Sequence, residues 1–256
     1  MRLGIVFGAL GIGLAACALA LVPLALGKRN RATLPPLFDG STVVYSVPFA
    51  GGRPHVVLHL HGQWGFPVAT SDGRALLLER PQLSTTAVWR VPLDGQAPTH
   101  VRDTRVFTAP VSRSDGYVAT ERQTRPASGW RIDLIVRDRD NRVTWTKQMP
   151  FPLGFPAVAA DGRRVAVVRM HLLELVTPAG RRLLASDAQA DSAPLWTRDG
   201  RSLLYYDTSG RLVVRNSVTG KARLLVGPGR YFDKTLSRDG RTVYFLGLND
   251  AVSIPK

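Results

Sequence analysis

Five times along this 256-residue chain an apolar stretch runs into Asp-Gly and leaves it as another apolar stretch. The aspartates are Asp72, Asp115, Asp161, Asp199 and Asp239, and successive copies lie 38 to 46 residues apart. Asp-Gly supplies the positive φ of a tight hairpin, so each copy predicts a turn between adjacent antiparallel strands. One such turn every forty or so residues is the spacing of four-stranded propeller blades. Most copies are followed by a run without polar alternation, such as Val165-Ala166-Val167-Val168 or Val243-Tyr244-Phe245-Leu246. Runs of this kind suit strands covered on both faces by neighbouring blades. The expectation is an all-β propeller over residues 41–256, with no amphipathic helical period after residue 30.

Blade count follows from where strands start and stop. Two orphan strands, 43–49 and 55–60, precede the first Asp-Gly unit, and only two strand-like runs, 242–246 and 251–254, follow the last one. Five blades, the last closed by the amino-terminal strands, is the economical solution because closure removes free sheet edges. Counting Leu37-Phe38-Asp39-Gly40 as a further turn gives six short blades instead.

The repeated units resemble the TolB-like propeller repeat, a relative of the WD-repeat propellers, over residues 37–256. Its consensus runs Ser-Pro-Asp-Gly-Lys/Arg, then an apolar strand, then a strand ending in Asp-Gly-Gly. Val88-Trp89-Arg90-Val91-Pro92-Leu93-Asp94-Gly95 is one instance of the second half. Where the consensus has proline, this chain has Ser71, Ser114, Ala160, Arg198 and Arg238. The sialidase Asp-box is not met, because Gly follows Asp directly.

Ahead of the repeats, residues 3–27 carry no charge, a length sufficient for a tilted membrane-spanning helix, and residues 28–40 read as a linker. Three outcomes compete for residues 1–27. They form a retained anchor, a lipoprotein signal in which Leu14-Ala15-Ala16-Cys17 resembles a lipobox with Cys17 as the lipidation site, or a signal cleaved after Ala18-Leu19-Ala20. The anchor is preferred, because the residues after Cys17 stay apolar. Lys28, Arg29 and Arg31 outweigh Arg2 and by themselves favour a cytoplasmic domain, whereas a signal-like start before an all-β domain favours export. A single-pass protein of a bacterial inner membrane, with its propeller on the periplasmic or extracellular side, is the expectation. Cys17 is the only cysteine, so the rest of the chain has no disulfide.

The net charge is +15, almost all of the excess being arginine. That balance points to an anionic partner, a polymer or lipid as well as a protein, with the surface arginines of an arginine-rich composition as the alternative. Nucleic acid is not the expected target, since no long basic run occurs. The repeats make the charge geometric. Turns between strands one and two bring Arg74, Arg163, Arg164, Arg201 and Arg241 to one face of the disc, and turns between strands three and four bring Arg53, Arg142, Arg181, Arg182 and Lys221 to the same face. The amino-terminal linker is expected to enter from the opposite face.

His55, His59 and His61 form the sharpest cluster. On a regular strand they share a face, with His59 and His61 about 6.5 Å apart, which two ligands of one zinc or copper ion can bridge. Asp138, Asp140 and Asn141 suggest calcium ligands but lack the Gly and Glu of a calcium loop, so they read as a hairpin turn. No nucleophile elbow, phosphate-binding loop or dinucleotide fingerprint is present, and many acidic residues lie in turns. The reading is therefore a non-catalytic, membrane-anchored propeller, without a cofactor, serving as an interaction or assembly module of a cell envelope. The alternative is a metal- or small-ligand-binding propeller using the histidines.

Overall fold

In the computed structural model the described residues are 40–81, 86–104, 112–114, 117–124, 131–150 and 154–248. The first two strands, β1 (Ser41–Pro48) and β2 (His55–His61), do not begin a blade of their own. Blade I follows as β3 (Gly65–Ala69), β4 (Ala75–Pro81), β5 (Thr86–Pro92) and β6 (Thr99–Thr104). Blade II contains β7 (Ser112–Ser114), β8 (Tyr117–Thr124), β9 (Arg131–Arg137) and β10 (Val143–Met149). Blade III contains β11 (Pro156–Val158), β12 (Val165–Arg169), β13 (Leu172–Val176) and β14 (Arg181–Ala185). Blade IV contains β15 (Leu195–Trp196), β16 (Ser202–Tyr206), β17 (Leu212–Asn216) and β18 (Ala222–Val226).

Blade V is composite. Its inner pair, β19 (Tyr231–Leu236) and β20 (Thr242–Leu248), comes from the carboxyl-terminal part, and β1 and β2 complete the sheet in the order β19-β20-β1-β2. β20 runs antiparallel to β1 in unbroken register from Thr42↔Leu248 to Pro48↔Thr242. The place beside β20 is thus held by β1 and not by a strand at 251–254, which lies outside the described residues. The chain is an all-β propeller of five four-stranded blades. The six-blade alternative fails because β1 and β2 are absorbed into the closing sheet.

The core sits between blades, as the unalternated apolar runs require. Val165, Ala166, Val167 and Val168 of β12 are all at most 1% exposed. Val165 and Val167 pack with Ile132 and Leu134 of blade II, whereas Ala166 and Val168 pack with Leu203 and Tyr205 of blade IV. Alternate residues therefore serve opposite blades. Tyr45 and Phe245 of blade V stack at 5.3 Å and join Tyr206 and Leu212 of blade IV. Each fully buried Leu, Val or Phe of such a layer contributes about 1.5–3 kcal/mol.

Candidate functional site

The Asp-Gly turns share one hydrogen-bonding scheme. In the turns at Thr70, Thr197 and Ser237 the hydroxyl donates to the aspartate two residues on, at 2.5 to 2.6 Å. The amides of Arg74, Arg201 and Arg241 donate to the same carboxylates at 3.0 Å. The glycines at +64 to +72° close the turns. The Thr70 hydroxyl and then the Arg74 amide hold Asp72 down at about 2, and Asp199 and Asp239 are lowered by the same pair of donors. Blade III has Ala159 in place of the hydroxyl. There burial works against ionisation of Asp161, but the Arg163 amide and the Arg164 guanidinium, with Nε at 2.6 Å, outweigh it. The turn at Asp115 lies outside the described residues.

Basic side chains bridge from blades II, III, IV and V to the next blade around the ring. Near the centre, Arg164 of blade III donates to the Gly200 carbonyl of blade IV, Arg198 of blade IV to the Arg238 carbonyl of blade V, and Arg238 to the Ser71 carbonyl of blade I, each at 2.8 Å. Trp145 makes the corresponding bond from blade II, its Nε1 donating to the Gly162 carbonyl at 2.7 Å. Near the rim Lys147 reaches the Pro178 carbonyl at 3.2 Å, Arg182 reaches the carbonyls of Ser217 and Val218, and Arg223 reaches that of Phe49. Part of the arginine excess therefore joins blades together. A guanidinium suits this task because its planar fork stays charged and offers several donors.

These turns share one face of the disc. The amides of Leu93, Phe49 and Ser217, each at or just past the end of a third strand, donate to the carbonyls of Arg74, Arg241 and Arg201 in the first turns, at 2.7 to 2.9 Å. Of the ten cations expected there, Arg53, Arg74, Arg142, Arg163 and Lys221 are exposed and donate no side-chain hydrogen bond among the described residues. Arg201 and Arg241 are exposed and interact with Asp199 and Asp239 of their own turns. The other three make further contacts. Arg164 and Arg182 are blade-to-blade donors, and Arg181 lies 3.8 Å from Glu174. Ser41 starts β1 at the end away from these turns, since Phe49, just past its other end, meets Arg241.

At the centre of the Asp-Gly face the inner strands leave a cavity of about 580 Å³. Ser71, Ala160, Arg198 and Arg238, the residues preceding the turn aspartates, all line it. They occupy the position where the resembling repeat carries proline. In sequence they register only as departures from the pattern. The structure brings them together.

The other end of the inner strands was not signalled by any motif. Asp233 of β19 accepts the Phe66 amide of blade I at 2.8 Å, and burial raises its pKa. Its neighbour Lys234 donates to Ser192 Oγ at 3.0 Å and to the Ala193 carbonyl at 2.6 Å, on the segment leading into blade IV. The Lys234 ammonium also lies 4.5 Å from the centre of the Tyr206 ring. Burial lowers this lysine to about 7, against the pull of Asp233 and Asp191. Glu79 is raised by its own burial and by Asp233.

The histidine cluster is not the one expected. A bulge in β2 opposite Val44/Tyr45 breaks the alternation, so His59 and His61 pair with Val43 and Ser41 while His55 pairs with Ser46. Cross-strand partners share a face, so His55 lies on the other face from His59 and His61. All three are exposed, and no group of three metal-ligating side chains is found among the described residues. Asp138 accepts the amides of Asp140 and Arg142 at 2.9 Å, and Asn141 has φ of +64°, which makes 138–142 a hairpin turn. Cys17 and the uncharged run 3–27 lie outside the described residues, and no helix among the described residues is long and apolar enough to cross a membrane.

No family profile matches the chain, and no curated protein matches its sequence. Solved structures do match. A protein assigned as TolB from Agrobacterium tumefaciens superposes with a TM-score of 0.54 at 14% identity, over 82% of this chain and 99% of that one. Its fold is that of the TolB propellers. TolB from Acinetobacter baumannii matches at 13% identity with a TM-score of 0.41, over 81% of this chain and 63% of that one. The propeller domain of Swd1 from a Myceliophthora fungus matches at 18% identity and 0.43, over 70% and 60%. The chain thus spans less than two thirds of the Acinetobacter and fungal proteins.

Proposed function

We propose that this chain is a non-catalytic interaction module whose Asp-Gly face docks an acidic protein partner, with residues 3–27 holding it at a bacterial envelope membrane. The observation that carries the reading is the convergence of Arg53, Arg74, Arg142, Arg163 and Lys221, exposed and without side-chain hydrogen bonds among the described residues, on one face. An array of uncommitted cations on a rigid disc steers and orients an acidic partner. The turn carboxylates Asp72, Asp161, Asp199 and Asp239 hold their own loops, which supports binding over acid–base chemistry there.

The test is co-purification from detergent-solubilised membranes at low salt, comparing wild type with Arg142→Glu/Lys221→Glu. Both residues close their hairpin turns through backbone groups alone and their side chains lie outside the blade-to-blade bonds, so folding is retained. The variant should lose partner binding by about tenfold, and its residual binding should depend less steeply on salt. Equal recovery of partner by the two proteins, or no partner at all, would refute the docking reading.

A further inference from the structure

The central cavity has a chemistry of its own. Its mouth carries the two guanidiniums of Arg198 and Arg238, both exposed and consecutive around the ring. Each is fixed by a single bond to the carbonyl of the next turn, at 2.8 Å. A guanidinium has five N–H donors, so each retains donors beyond the one that fixes it. The anions nearest in sequence, Asp199 and Asp239, are already held by Thr197 and Ser237 and by the amides of Arg201 and Arg241. The wall is mixed: Val158, Ala160, Leu195, Leu236 and Trp196 give it apolar surface beside the hydroxyl-bearing Thr70, Ser71, Thr197 and Ser237. A concave site that offers apolar contact together with a few fixed polar groups is the general form of a small-molecule site, and about 580 Å³ falls within its usual range.

We propose that this cavity binds a small organic anion, its carboxylate or phosphate group held between Arg198 and Arg238 and its apolar body against Leu195, Val158 and Leu236. Pre-positioned arginines lower the ordering cost of binding, and charge-assisted bonds to a planar or tetrahedral oxyanion are the strongest that these side chains make. The site is separate from the protein-docking reading. Arg142 and Lys221 lie on outer turns and do not line the cavity.

Calorimetric titration of the purified full chain with phenyl phosphate, benzoate and benzyl alcohol tests it. Both anions should bind saturably at one site per chain, and the neutral alcohol about tenfold more weakly. Arg198→Gln/Arg238→Gln should bring both anions to the level of benzyl alcohol. Since these arginines also join blades, Ala160→Phe serves as a second variant: it keeps both guanidiniums, fills the chamber and should abolish binding with the unfolding temperature unchanged. Arg142→Glu/Lys221→Glu should bind phenyl phosphate like wild type, even if docking is lost. Absence of saturable binding, equal affinity for alcohol and anions, or wild-type affinity in Ala160→Phe would overturn the proposal.

Discussion

At the Asp-Gly end of the inner strands the charges are exposed and held by backbone; at the other end Lys234 is buried, Asp233 partly so, and the two hold neighbouring blades. Arg198 and Arg238 keep most of their donors in solvent while one bond apiece reaches the next turn. Lys234, by contrast, is withdrawn from water and Asp233 partly so, and between them they bind blade V to blade I and to the segment before blade IV. The exposed end repeats from blade to blade, whereas Asp233 and Lys234 belong to the blade in which the ring closes. Repetition spreads a modest interaction over several junctions. The single site concentrates a larger one, because desolvated charges are costly to leave unpaired.

The largest separation between the two ends should come from removing a buried partner. Asp233→Ala leaves the Phe66 amide without its acceptor and Lys234 without its adjacent counter-charge, so a loss of about 1–3 kcal/mol is expected in urea unfolding. A loss under 1 kcal/mol would show that water already reaches this end.

A pH series sharpens the same contrast. Lys234 is held at about 7 in the folded protein, below its ordinary value of 10.5. Between those values the unfolded chain binds a proton that the folded chain does not, so stability rises with pH over about 7 to 10, by at most about 1.4 kcal/mol per unit. Lys234→Met should flatten that rise. Above this window Tyr206, raised by its burial, reverses the trend, because the folded state then holds the extra proton. A wild-type curve as flat as that of Lys234→Met would place Lys234 in contact with solvent.

The smallest effect belongs to the exposed end. Arg238→Gln removes one of several blade-to-blade bonds at a solvent-exposed position, and about 0.5–1 kcal/mol is expected. A loss as large as that of Asp233→Ala would mean that the Arg238–Ser71 bond alone keeps blades V and I together.

What could be read before folding follows from the same distinction. The Asp-Gly period, the unalternated runs and the two orphan strands led to five blades and a shared turn face, since hairpin chemistry is set by residues two or three apart. The histidine reading failed on one inserted residue. Strand alternation places His55 with His59 and His61, and the bulge in β2, which no local pattern announces, reverses it. Which arginines at the turns join neighbouring blades could not be read from the chain. Arg182 and Arg142 look alike in sequence, yet the carbonyls of Ser217 and Val218 lie across a blade junction within reach of the first.

The sequence by itself determined the repeat, its turns and the layered core, because each depends on periodicity and on conformations that Asp-Gly and β-branched runs favour locally. Tertiary structure alone decided the rest. Ser71, Ala160, Arg198 and Arg238 meet around one cavity only when the ring closes, and Asp233 and Lys234 acquire their buried setting from segments some 40 and 170 residues away. Side-chain charge is written in the chain, but its exposure and its partners depend on which blades stand side by side.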